Sequence, residues 1–358
     1  MEVQKTALYK IHKNLGAKFA PFAGYEMPIQ YSDGIVKEHI STRTYAGFFD
    51  VSHMGQFYIE GGLSLDEALE KIIPADLKNL NINQSKYSFL LNLEGGIIDD
   101  LIITRRKNGF YIVLNAACKD NDIKHISKNL SENHKFYLCS KTSLIAVQGP
   151  KSSEILEKKI RGISNLKFMY GNFFEFEGEK LYATRSGYTG EDGFEISIPD
   201  MNAEDIVKQI LKNENALLCG LGCRDSLRVE AGLSLYGNEI NEDITPIQAN
   251  LSWALDKKRL KNGNLNGSNI LLQQLQEAKD TLKVGITPVN KTMLRNNMTL
   301  HNMEKNEIGY ITSGCFSPTL KRSIGIGYIN NFTNKLDKLF VKVRETEIRL
   351  INTTFICN

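Results

Sequence analysis

Apolar positions in this chain fall in short runs separated by turn residues, and the clearest run brackets an acidic pair. Residues 91–103 read LNLEGGIIDDLII. Glu94-Gly95-Gly96 signals a turn, because glycine takes φ > 0 without steric cost. The run after it predicts a strand, in which neighbouring side chains point to opposite faces. One aspartate then shares a face with Ile97, Leu101 and Ile103, and the other with Ile98 and Ile102. Both faces are apolar, so at least one of Asp99 and Asp100 is expected in a low-dielectric wall. An unpartnered carboxylate is costly there and tends to be kept where chemistry uses it. The alternative is an Asp pair that satisfies amides of the turn before it.

Other runs predict a mixed α and β chain. Strands are expected at 56–60, 86–92, 110–115, 144–148, 180–184 and 193–198. Helices are expected at 64–73, with Ser64 and Glu67 at capping-box spacing, and at 120–130, 152–159 and 203–212. A further helix is expected from Asp225, with Arg224, Arg228 and Glu230 near its start. The first fifty residues are rich in glycine and aromatics, and within them residues 22–25 and 27–31 read as irregular chain packed by its own aromatics. Residues 257–264, KKRLKNGN, read as an exposed basic segment at a domain edge. Beyond residue 281 the short strands LKVGI, GYITSG, SIGIGYI, LFVKV and EIRLI predict an all-β barrel or sandwich.

Composition narrows the classes. A chain of 358 residues is long enough for two or three domains, and 42% hydrophobic residues suffice for real cores. A net charge of +3 is too balanced for a dedicated nucleic-acid binder. No apolar run approaches the ~18–20 residues of a membrane span, and the N-terminus has neither a signal-peptide core nor a transit composition. A cytoplasmic protein, or a mature organelle protein, is expected. The six cysteines have no close metal-ligand spacing, so free buried thiols are expected. The six histidines are equally dispersed, and no HExxH, Walker loop or helix-opening GxGxxG occurs.

Three constellations besides Asp99-Asp100 carry candidate chemistry. The loop SGYTGED, residues 186–192, has glycines that permit close approach of a ligand, and Glu195 follows on the face of Gly193 and Ser197. An acid so placed suits a heterocycle with N–H donors, or else marks a polar outer strand face. Arg224 beside Asp225 is a surface pair or a guanidinium fork for a carbonyl or carboxylate. Tyr25, Tyr87, Tyr188 and Trp253 suit stacking on a flat ligand, or core packing.

Taken together and in order, the motifs resemble the aminomethyltransferase (T-protein) family of the glycine cleavage system. The matching segments are LGAKFAPFAGYEMPIQY (15–31), FDVSHMGQ (49–56), GGIIDDLII (95–103), LIAVQGP (144–150) and SGYTGEDGFEI (186–196). They continue through RDSLRVEAGLSLYGNEI (224–240) and IGYITSGCFSPTLKRSIGIGYI (308–329). The resemblance implies an α+β, three-domain cloverleaf. Residues 1–50 with 140–275 would form a discontinuous folate-binding domain. Residues 51–139 would be an inserted ferredoxin-like module, and 276–358 a C-terminal β-barrel-like domain. It implies tetrahydrofolate as co-substrate, no metal, and lipoylated H-protein as partner, with no nucleic acid and no membrane.

In the implied reaction, the aminomethyl group leaves the lipoyl arm of H-protein. The products are ammonia, 5,10-methylenetetrahydrofolate and dihydrolipoyl H-protein. Position by position, Asp100 matches the catalytic acid, Asn115 and Glu195 match pteridine contacts, and Arg224 matches the folate-site arginine. Tyr87, Tyr188 and Trp253 would form aromatic walls, with Met54 nearby. The tail INTTFICN departs from the proline-flanked, tyrosine-ended segment usual in the family. The basic run 257–261 would steer an acidic carrier, or is simply solvated. Two alternatives share the fold: a folate-dependent demethylase of a small sulfonium or methylamine compound, and a non-enzymatic folate-binding iron–sulfur assembly factor. The second is known by a Lys-Gly-Cys signature that this chain lacks.

Overall fold

Both runs flanking Gly95-Gly96 are strands, Ser85–Leu91 and Ile97–Arg106. The computed structural model describes residues 3–277, 280–330, 339–353 and 355. Gly95 takes φ +81°, and the Asn92 carboxamide oxygen accepts from the Glu94 and Gly96 amides at 3.1 and 2.8 Å. The Gly95 amide reaches the Asn92 carbonyl at 3.2 Å. Burial along the second strand alternates as a period of two requires. Ile97, Asp99, Leu101 and Ile103 are buried, and Ile98, Asp100 and Ile102 are half-buried.

The chain divides into two units, residues 1–69 with 77–87 and 101–225, and residues 70–76 with 88–100 and 226–358. The first holds a six-stranded sheet. Its order is Gly171–Phe176, Glu179–Thr184, Gly193–Pro199, Thr142–Gln148, Ala46–Asp50 and Ala216–Leu218, antiparallel except for the last pair. One face carries the core: Phe48, Ile145, Val147, Phe194 and Ile196 meet Ile155 and Leu156 of helix Ser152–Glu157. Ile206, Val207 and Ile210 of helix Asp200–Leu211 complete it. Burying one such side chain contributes about 1.5–3 kcal/mol. The opposite face sets Thr184, Glu195, Ala146 and Phe49 in one row across four strands.

Antiparallel strands Gly55–Glu60, Gly109–Leu114 and Lys135–Leu138 form a second sheet with residues 101–106 of the acidic strand. Helices Leu63–Glu70 and Lys119–Lys128 accompany it. Ser64 lies inside the first helix with its hydroxyl 3.1 Å from His134 Nε2, so the expected capping box is not made. Residues 22–31 are not irregular: between helices Tyr9–Asn14 and Gly34–Thr44 they belong to a hairpin, Lys18–Phe22 against Tyr25–Gln30. Pro21 and Pro28 masked these strands, and the turn uses Ala23 at φ +48°, which alanine rarely adopts. Buried Asp50, bonded to His12 Nε2 at 3.0 Å, ties the N-terminal helix to the sheet.

In the second unit the acidic turn is tightly seated. The Ile97 amide lies 3.1 Å from the carbonyls of both Asn241 and Ile244, and a Cβ on Gly96 would fall 1.7 Å from the Glu242 carbonyl oxygen. The expected basic linker is instead a helix, Lys257–Asn262. Asp256 caps it, accepting from the Lys258 and Arg259 amides at 3.0 and 2.9 Å. Arg259 turns inward to the Ile73 and Ala75 carbonyls at 2.7 and 2.6 Å, while Lys257 and Lys258 stay exposed. A closed six-stranded barrel follows, ordered Thr281–Pro288, Arg322–Asn330, Glu307–Ser317, Thr299–His301, Leu339–Val343 and Thr346–Asn352. Ile286, Leu300, Ile311, Val341 and Leu350 fill it. The end of the atypical tail, at 354 and 356–358, lies outside the described residues. No described helix is long and apolar enough to cross a membrane.

Candidate active site

Strand Gly193–Pro199 lays Glu195 on the sheet face opposite the core, between Ala146 and Thr184. Small Ala146 leaves room beside it. The Ser186 hydroxyl donates to Glu195 Oε2 at 3.2 Å, and Thr184 Oγ1 lies 2.9 Å from that hydroxyl. Burial pushes the Glu195 carboxyl up, and the charge of Arg224 and the Ser186 hydrogen bond pull it back. Arg224 projects from helix Leu221–Glu230, which begins four residues earlier than expected. Gly220 and Gly222, ahead of the expected start, are packing residues. A Cβ on Gly220 would fall 2.1 Å from the Ile29 carbonyl oxygen, and one on Gly222 2.5 Å from Ile35.

Arg224 holds its guanidinium 4.7 Å from the centroid of the Tyr188 ring. Burial lowers its basicity, against the charge of Glu195. Its Nη1 is buried with no hydrogen-bond partner. A buried polar atom in that state costs about 1–3 kcal/mol, which an arriving acceptor would recover.

Tyr188 rides on a fixed loop. The Arg43 guanidinium donates to the Thr189 carbonyl at 2.7 Å and to Glu191 at 2.9 Å, and Arg185 clasps Asp192 through two bonds of 2.8 and 2.7 Å. Buried Gln148 lies beneath, donating to the Ser186 carbonyl at 2.9 Å and accepting from Thr189 Oγ1 at 3.0 Å. A Cβ on Gly187 or Gly193 would meet the Gln148 carboxamide at 1.7 or 2.4 Å. Those glycines make room for a glutamine, and that is a different reason from the ligand approach read in the sequence.

The other expected residues divide between the units. Met54, Tyr87 and Asn115 belong to the first with Tyr188, Glu195 and Arg224, and all are half-buried. Asn115 follows strand Gly109–Leu114 directly, and Met54 closes the turn before strand Gly55–Glu60, which pairs with it through Gly55 and Leu114. Asp100 and Trp253 belong to the second unit, where Trp253 is 67% exposed. Also there, burial holds the Lys283 ammonium down to about 8, against the charges of Glu239 and Asp100.

Two features escaped the sequence. Cys219 and Cys223, both free, come within 4.8 Å of a Glu38 carboxylate oxygen and of each other. Both Glu38 oxygens already accept amides, from Tyr31 at 2.6 Å and Gly220 at 2.9 Å. Burial raises the Glu38 carboxyl and the Cys223 thiol. The remaining described cysteines, Cys118, Cys139 and Cys315, are free but only half-buried. The second feature is His53, 3% exposed, whose Nδ1 has no hydrogen-bond partner. Its only trace in the sequence was its place in the motif FDVSHMGQ.

Comparison with known proteins places the chain in a family. Residues 8–259 match the family model for the GCVT N-terminal domain, and 283–355 match that for the glycine cleavage T-protein C-terminal barrel domain. The chain is 42% identical over 353 residues to an aminomethyltransferase of Dictyostelium discoideum, covering 94% of this chain and 87% of the relative. A probable aminomethyltransferase of Schizosaccharomyces pombe is 40% identical over 335 residues, covering 92% and 86%. The crystal structure of the glycine cleavage system aminomethyltransferase T from Bartonella henselae superposes with a TM-score of 0.92 at 37% identity. The match covers 99% of this chain and 98% of that one.

Proposed function

Because the chain belongs to the glycine cleavage T-protein family and is an aminomethyltransferase, we propose which of its residues carry the transfer. The family's one-carbon acceptor is tetrahydrofolate, and the observation that supports its use here is the Glu195–Arg224–Tyr188 group. A pterin presents N–H donors beside a carbonyl. A buried carboxylate reads the donors, a guanidinium with a spare N–H reads the carbonyl, and a ring already stacked on that guanidinium extends the flat wall. Asn115 adds a carboxamide contact, and Met54, Tyr87 and Trp253 are further apolar walls. The three-lobed domain organisation, 1–50 with 140–275, 51–139 and 276–358, remains part of this proposal.

When bound, tetrahydrofolate supplies the nucleophilic nitrogen, so the chain needs no activated serine or cysteine. Its residues orient the acceptor against the aminomethyl carbon, and positioning alone supplies several kcal/mol of such a barrier. Asp100 is the proposed catalytic carboxylate, holding the reacting end of the folate and relaying the proton that departing ammonia requires. The proposed donor is the aminomethylated lipoyl arm of H-protein. The proposed compartment is the cytoplasm, or the mitochondrial matrix in a eukaryote; the relatives named above are called mitochondrial. No observation favours the demethylase or assembly-factor alternatives.

Ammonia release from aminomethylated H-protein, with and without tetrahydrofolate, tests this reading. We expect release to depend on tetrahydrofolate and to fall at least 100-fold in Asp100→Asn. Turnover within a few-fold of wild type, with folate still bound, would remove the proton role from Asp100.

A further inference from the structure

We propose that His53 is a further tetrahydrofolate-positioning residue, its Nδ1 making a hydrogen bond to a polar atom of the bound reduced folate. This rests on the folate reading of the Glu195–Arg224 group and extends it to a residue that no motif role had claimed.

His53 lies in the turn between strands Ala46–Asp50 and Gly55–Glu60. The Phe22 ring meets it edge-on at 5.6 Å between centroids, and Tyr25 is tilted against it at 6.3 Å. The Lys119 ammonium donates to the Tyr25 hydroxyl at 2.9 Å. The pairing of Gly55 with Leu114 sets the His53 turn beside the turn that begins at Asn115. Strand Tyr25–Gln30 runs from the His53 ring to the start of the Arg224 helix, where Gly220 abuts the Ile29 carbonyl. His53 therefore stands among the first-unit residues already assigned to folate.

An aromatic wedge alone would not need an imidazole. With the side chain 3% exposed and Nδ1 buried without a partner, the protein maintains a polar atom at a cost. Arg224 Nη1 is left in the same state. Two unpartnered nitrogens in one neighbourhood fit a ligand that brings more than one polar atom, as a reduced pterin does. Burial, with Arg224 and Lys119 nearby, holds the His53 ring down to about 4. The ring is therefore neutral at working pH, and a neutral imidazole offers a lone pair or an N–H without adding charge.

The test uses the full chain and 5-formyltetrahydrofolate, a stable reduced folate, in equilibrium dialysis. Asn places a polar atom where Nδ1 stood, and Phe keeps only the ring. We expect His53→Phe to weaken binding at least tenfold and His53→Asn to stay within threefold of wild type. In turnover, KM for tetrahydrofolate should rise in His53→Phe while kcat stays within a few-fold. The His53 Nδ1 resonance in ¹⁵N spectra of the wild type should move on folate addition, a readout that needs no variant to fold. Unchanged affinity in a folded His53→Phe, or an unmoved Nδ1 resonance at saturating folate, would overturn the proposal. If Glu195→Ala still abolished binding in that case, only the His53 contact would fall. Failure of wild type to bind folate would sink the parent reading as well.

Discussion

Helix Leu221–Glu230 carries two arginines one turn apart, and the two have opposite surroundings. Arg228 is fully buried in the second unit, with a partner on each terminal nitrogen: Glu239 at 2.7 Å and the Leu233 carbonyl at 3.3 Å on Nη1, and Ser313 at 2.6 Å on Nη2. Glu239 is just as well supplied, by the Leu235 amide at 2.9 Å and the Thr312 and Ser313 hydroxyls at 2.5 and 2.6 Å. Arg224, in the first unit, keeps one buried nitrogen with no partner, beside a carboxyl whose ionisation burial opposes. A satisfied ion pair holds a fold together, whereas a buried nitrogen left without a partner marks a candidate ligand contact.

The sharpest way to break that contrast is to remove each arginine in turn. Arg228→Met strands the Glu239 charge in the protein interior, and such a loss typically costs about 3–5 kcal/mol of stability. Urea unfolding should register it directly. Arg224→Gln relieves a buried cation, and Glu195 can take up a proton, so stability should move by less than about 1 kcal/mol. Activity should instead fall roughly 10- to 100-fold in kcat/KM for tetrahydrofolate, about 1.5–3 kcal/mol for a charged hydrogen bond. Equal unfolding losses in the two variants would erase the distinction.

Part of this contrast was legible in the sequence. Alternation alone put Glu195 on the face of Ser197 and away from Phe194, and the sheet keeps that facing. It also separated Asp99 from Asp100, and the barrel strands announced themselves by their spacing. The partners were not legible, because pairings such as Glu195 with Arg224, or Arg228 with Glu239 and Ser313, are tertiary. Local signals misled wherever a residue served a distant neighbour. The helix was expected to start only at Asp225 because the Ile29 carbonyl that Gly220 accommodates lies far off in the chain. Lys257–Asn262 read as a solvated run because the carbonyls that receive Arg259 come from residues 73 and 75. His53 gave no signal beyond its place in the motif FDVSHMGQ, since a missing hydrogen bond has no sequence pattern.

Titration draws the same contrast between His53 and Lys283. Each is buried and shifted below its ordinary value, to about 4 and about 8. The unfolded chain therefore binds more protons in each window, and stability rises with pH through both. For His53, faced by the charges of Asp50, Arg224 and Lys119, stability is complete above about 6.5 and is lost as pH falls towards 4. For Lys283, faced by Glu239, Arg228 and Asp100, it grows from about pH 8 to about 10.5. Each shift corresponds to about 3 kcal/mol. Subtracting the curves of His53→Asn and Lys283→Met from wild type isolates each slope. Folate should steepen only the His53 window, because Lys283 already has partners in Ser234 at 2.8 Å and the Gly232 carbonyl at 3.3 Å. A folate effect on the Lys283 window would contradict its purely structural role.

The smallest test compares two helix starts. Asp256, in the second unit, accepts two amides of helix Lys257–Asn262, and Arg259 in that helix must be held over the 73 and 75 carbonyls. Losing such a cap costs about 1 kcal/mol, so Asp256→Ala should lower the unfolding free energy obtained from urea titration by that amount. Ser64, at the start of helix Leu63–Glu70 in the first unit, had the sequence signature of a cap but its hydroxyl meets half-buried His134. Ser64→Ala should therefore change stability by less than about 0.5 kcal/mol, the usual range for a surface substitution. The two serve as a control on the larger claim. If the signature alone set the energy, Ser64 would matter as much as Asp256, and reading function from unsatisfied atoms would lose its footing too. Both inferences assume that the partner a polar atom finds in the fold decides what it contributes.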